Sequence, residues 1–127
     1  MCKTIKQVVS FQAPPNTIYD LLVDARLFHA VTGKTATNLT TVGGKFTAFG
    51  GAVSGITVDL AQNERVVQAW RHRSFPDGIF SMVTLQLSSK PSGAQVVLTH
   101  RGVPKDLIPG IEDLWREQVW KRIKEYL

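Results

Sequence analysis

Three histidines, one cysteine, ten carboxylates and fifteen cationic side chains are the groups in this 127-residue chain that could support acid–base, nucleophilic or metal chemistry. A zinc centre needs several nitrogen or sulfur donors converging on one ion, and a recognisable helical site places two histidines one turn apart. His29, His72 and His100 lie far apart in the chain and fall in a helix, at the end of a strand and within another strand. Nor does the spacing place a nucleophile beside a base or bring two carboxylates together. The sequence therefore assigns no catalytic residue, no metal and no cofactor. The glycines of Val42-Gly43-Gly44-Lys45 and Gly50-Gly51 match neither a Walker sequence nor a dinucleotide fingerprint, and they separate short strands, so they read as turns or bulges.

Binding chemistry is easier to see. Trp70 and Trp115 can form the wall of an apolar pocket or simply fill a core, since a large aromatic serves either purpose. Alternation along the strands turns Phe46, Val83, Leu85 and Leu98 toward the same interior. His100, in phase with Val96 and Leu98, joins them either as a hydrogen-bonded core histidine or as a functional one. Gln118 and Arg122 interrupt an apolar helix face and are the polar groups placed to anchor a ligand, or to reach out at its edge. Trp120 falls off that face, so it packs against other helices or marks a protein contact.

Composition narrows the classes of function. Apolar residues make up 43% of the chain and charged ones 20%, spread without long single-sign blocks, as expected of one folded domain over residues 1–127. The net charge of +5 could attract nucleic acid. Lys121, Arg122 and Lys124 are interleaved with Glu117 and Glu125, however, which describes a solvated helix face, and no nucleic-acid partner is expected. Cys2 stands alone, so no intrachain disulfide is possible. The first eleven residues alternate polar and apolar side chains without a secretory apolar run, and no stretch approaches a membrane span. A cytoplasmic location is expected, in which the formal glycosylation sequon at Asn38 is inert.

The elements that must position these residues follow from periodicity. Residues 4–11 read as a strand that ends at Ala13-Pro14-Pro15, where proline enters the first turn of a helix carrying Ile18, Leu21 and Leu22 on one stripe. Residues 24–32 form a second short helix closed by Gly33. Six strands follow, near residues 36–40, 45–49, 52–60, 65–72, 79–88 and 94–102, antiparallel because their connections are short. Residues 107–127 form a long helix with Leu107, Ile111, Leu114, Trp115, Val119, Ile123 and Tyr126 on one face. A six- or seven-stranded antiparallel sheet must bury one face, and the long helix is its most apolar partner. The result is an α+β helix-grip fold, the sheet wrapped around the C-terminal helix, an arrangement that often encloses a cavity.

Several stretches, weak singly and specific in order and spacing, resemble a known family along nearly the whole chain. They are Phe11-Gln12-Ala13-Pro14-Pro15, Val42-Gly43-Gly44-Lys45-Phe46, Val53-Ser54-Gly55 with Asp59-Leu60, and Arg65-Val66-Val67-Gln68-Ala69-Trp70-Arg71. Phe75-Pro76-Asp77-Gly78, Gly102-Val103-Pro104 and Gly110-Ile111 leading to Trp115 complete the set. The chain resembles the START-like (SRPBCC) superfamily, and within it the C-terminal domain of the activators of heat-shock protein 90 ATPase. It differs in the loop, with Phe75-Pro76 where many relatives have Trp-Pro, and with Ile79 where they have histidine. The resemblance implies a non-catalytic, co-chaperone-like module whose outer surface engages a chaperone of the heat-shock protein 90 type or a client protein. The wider superfamily implies the alternative of a carrier or sensor of a small hydrophobic ligand.

Overall fold

The fold is known from a computed structural model that describes residues 3–127; Met1 and the lone thiol of Cys2 lie outside the described residues. Six strands, β1 (Ile5–Phe11), β2 (Lys45–Ala48), β3 (Val53–Ala61), β4 (Arg65–His72), β5 (Ser81–Lys90) and β6 (Gly93–Arg101), pair antiparallel in the order β1-β6-β5-β4-β3-β2. Burial alternates along β4, β5 and β6, so one face of the sheet is core and the other faces solvent. The ladder between β3 and β4 shifts between Thr57 and Asp59, a bulge that leaves Val58 facing solvent and bends the strand. Gly55 sits opposite Trp70, where a Cβ would lie 1.8 Å from the Ala69 carbonyl oxygen, so only glycine permits this close approach.

Two short helices follow β1. In α1 (Pro15–Val23) the proline takes the first turn, where its missing N–H is harmless. In α2 (Ala25–Thr32) the Asp24 carboxylate accepts from the Arg26 and Leu27 amides, and Gly33 closes the helix in the left-handed conformation at φ 74°. Residues 36–40, expected as a strand, contribute one bridge, Thr37 to Thr47. Asn38 takes φ 56° and its side chain donates to the Lys45 carbonyl and accepts from Thr41, local bonds that replace a ladder. The sheet accordingly has six strands, the lower of the two expected counts.

The C-terminal helix runs as α3 (Ile108–Asp113), a π segment (Leu114–Trp120) and α4 (Lys121–Tyr126), with helical dihedrals at both junctions. In a regular α-helix Trp115 and Trp120 would point about 140° apart. The wider i→i+5 turn brings them to one face. Their indoles stack with centroids 5.6 Å apart and planes at 22°. Trp120 is therefore core and not surface, and Tyr126, expected on the buried stripe, is half exposed. Each buried indole contributes about 4–6 kcal/mol of apolar burial as an upper bound.

Candidate functional site

The inner face of the sheet and the π segment meet at His100, which has no solvent exposure. Its ring lies edge-on to Trp70 at 4.7 Å and to Trp115 at 6.1 Å, while the two indoles stack at 6.1 Å and 26°. The Trp115 indole N–H can only donate, and it donates to His100 Nδ1 at 3.0 Å. The proton of a neutral imidazole must then sit on Nε2, which donates to Ser81 Oγ at 2.7 Å; Ser81 in turn donates to the Trp70 carbonyl at 2.7 Å. Every polar atom of this chain of bonds is matched, and burial holds the imidazole pKa down at about 3.

Phe46, Trp70, Leu85 and Trp115 line an enclosed cavity between sheet and helix, joined by Leu22, Phe28 and Gln68. Its volume is about 20 Å³, room for one water molecule. Val83 and Leu98 are fully buried in the packing of the same sheet face. Gln118 lies elsewhere, in a groove of about 500 Å³ with His72, Asp106 and Glu117; its Oε1 is buried without a partner among the described residues. Arg122 is exposed on α4. The geometry thus gathers Phe46, Trp70, Val83, Leu85, Leu98, His100 and Trp115 into one interior and leaves Gln118 and Arg122 outside it.

Two contributors were not singled out from the sequence, Ser81 and Gln7. Ser81 bonds His100 from the first residue of β5. Gln7 donates to the Glu112 carbonyl and accepts from the Trp120 indole at 2.8 Å. The signal for Gln7 was its polar side chain in phase with Ile5 and Phe11; the signal for Trp120 is invisible to a period of 3.6. Of the other histidines, His29 is exposed. At His72, burial and then the Arg73 charge lower the pKa, while its Nδ1 accepts from the Ser74 amide. Among the described residues no group of three or more His, Cys, Asp and Glu is arranged to hold a metal, and no helix is long and apolar enough to cross a membrane.

The interior order of strand, paired helices, curved sheet and gripped helix has counterparts. Residues 12–127 match the family model described as Activator of Hsp90 ATPase homolog 1-like protein. The chain belongs to this family. An activator of 90 kDa heat shock protein ATPase homolog from Dictyostelium discoideum is 32% identical over 124 residues, covering 96% of this chain and 32% of that protein. The human activator homolog 1 is 30% identical over 125 residues, covering 98% of this chain and 36% of its own. Members of the family can thus be much longer: the chain spans about a third of these curated relatives. The crystal structure of an HSP90 activator from Plasmodium falciparum superposes with a TM-score of 0.87 at 22% identity, covering 99% of this chain and 95% of the other, which establishes the shared helix-grip fold.

Proposed function

We propose that this domain is a non-catalytic docking module that works from its outer surface on a chaperone of the Hsp90 type. The observation that carries the reading is the filled interior. Drug-sized ligands occupy pockets of about 300–1,000 Å³, whereas the space between sheet and helix is about 20 Å³, with the stacked Trp70 and Trp115 indoles on its wall. His100, buried against both indoles, is neutral and bonded at both nitrogens. Family membership supplies the partner class, since the relatives of known role are named for activating the Hsp90 ATPase.

The test is a direct binding titration of the whole chain against Hsp90 from the same organism, followed by the chaperone's ATP turnover with and without it. Saturable binding with a raised turnover is the expected result, and the absence of binding overturns the reading. The ligand-carrier alternative requires the indole stack to part and open a pocket more than tenfold larger. Native mass spectrometry of the purified protein distinguishes the two: a bare polypeptide mass supports docking, and a retained small molecule supports the carrier.

A further inference from the structure

The solvent face of an antiparallel sheet normally carries polar side chains. Over one stretch this sheet does not. Ile56 on β3 and Met82 on β5 are 39% and 41% exposed, and Phe80, just before β5, is 50% exposed. The register Lys45↔Ile56, Ile56↔Ala69, Ala69↔Met82 and Met82↔Arg101 places the apolar pair in one cross-strand row that ends in a cation on each side. Strands about 4.8 Å apart make the apolar strip about 10 Å wide and set Lys45 and Arg101 about 19 Å apart. The adjoining row on one side, Thr47, Ser54 and Arg71, adds a third cation; the row on the other side, Asp59, Val67, Thr84 and Thr99, holds one carboxylate, which is already paired with Arg65.

Arg71 is fixed in place. Its guanidinium lies 5.9 Å over the Phe80 ring and donates to the carbonyls of Phe75, Pro76 and Ile79. Three of its five N–H groups are thereby used, leaving two for an incoming acceptor, and a planar donor in a fixed orientation suits a carboxylate. Phe80 is half exposed beneath this cation, whereas Phe75 in the same loop is buried against Trp70.

We propose that this face docks an amphipathic helix of a partner protein, its apolar stripe seated on Ile56, Phe80 and Met82 and its acidic margins met by Lys45, Arg71 and Arg101. A strip about 10 Å wide matches the width of one helix. A second copy of this chain fits poorly, because the same three cations would face one another. The proposal goes beyond the chaperone reading and does not depend on it.

The test is an NMR titration of the whole chain with a short leucine-striped peptide bearing glutamate margins, alongside the same peptide with lysine margins and phosphatidylserine vesicles. The acidic peptide should shift Ile56 and Met82 saturably and bind about tenfold more weakly in high salt. Met82→Asp and Arg101→Glu should each weaken it about tenfold while leaving the unfolding midpoint nearly unchanged, since both side chains are exposed. Equal binding of the two peptides, shifts confined to another face, or binding to vesicles without binding to the acidic peptide would each overturn the proposal. So would variants that fold and bind as the parent does.

Discussion

Lowering the pH below about 6.5 should destabilise this domain through His100. In the unfolded chain the imidazole titrates near 6.5; in the fold it does so at about 3. Between those values the unfolded state binds a proton that the native state refuses, so stability rises with pH across the window and falls as acid is added. The contribution is fully present above about pH 6.5. At about 1.4 kcal/mol per unit, a drop to pH 4.5 removes about 3 kcal/mol, and the full loss near pH 3 approaches about 5 kcal/mol. Against a total stability of about 5–15 kcal/mol the first figure alone is a large fraction. His72, whose pKa is also lowered, adds in the same direction. The assay is urea unfolding at a series of pH values, with the imidazole followed by NMR in the native state. His100 should remain neutral with its proton on Nε2 throughout the native titration, and the pH slope between 6 and 4.5 should flatten in His100→Gln. An imidazole that titrates near 6.5 in the folded protein, or that carries its proton on Nδ1, would refute the bonding pattern from Trp115 through Ser81.

Three substitutions probe the rest of the frame. Trp115→Phe removes the indole donor and strands His100 Nδ1 in the core, and should cost about 3 kcal/mol by chemical unfolding. Gly55→Ala sets a methyl group against the Ala69 carbonyl; it should destabilise by about 3 kcal/mol and shift the β3 and β4 amide resonances as the register gives way. Asp24→Ala removes the acceptor for two amides at the start of α2 and should lower stability by about 1 kcal/mol with no change in the fold by circular dichroism.

Much of the architecture was legible because the strands are half buried and their alternation is a local signal. β4 spans residues 65–72 as periodicity placed it, and the Asp24 start and Gly33 stop of α2 are visible in residue type alone. The segment at residues 36–40 misled because its threonines and leucine suit a strand, while Asn38 chooses its own side-chain bonds. Strand β5 was expected to start at Ile79, but the Arg71 guanidinium claims the carbonyls of Pro76 and Ile79 and holds that stretch as loop. β-Alternation turned Phe46, Val83, Leu85, Leu98 and His100 to one buried face, whereas Gln118 and Arg122 lie away from it; the size of the space between sheet and helix was not legible, because volume depends on how the indoles stack. Trp120 was misplaced for a different reason: a period of 3.6 is an assumption, and the helix departs from it.

That departure has a bearing on how the chain can change in length. A π turn is an α-helix carrying one residue more than its phase allows. At the start of the wide turn Trp115 is keyed to Trp70 and His100 of the sheet; at its end Trp120 is keyed to Phe11 and Gln7 of β1, and Ile123 beyond it is buried. Loss of one residue within the wide turn would relax it to ordinary helix and leave both keyed faces where they are. The same loss one turn earlier or later would rotate everything beyond it by about 100°. The gripped helix thus has a single joint at which a deletion can be absorbed, flanked by stretches in which spacing is as constrained as residue identity.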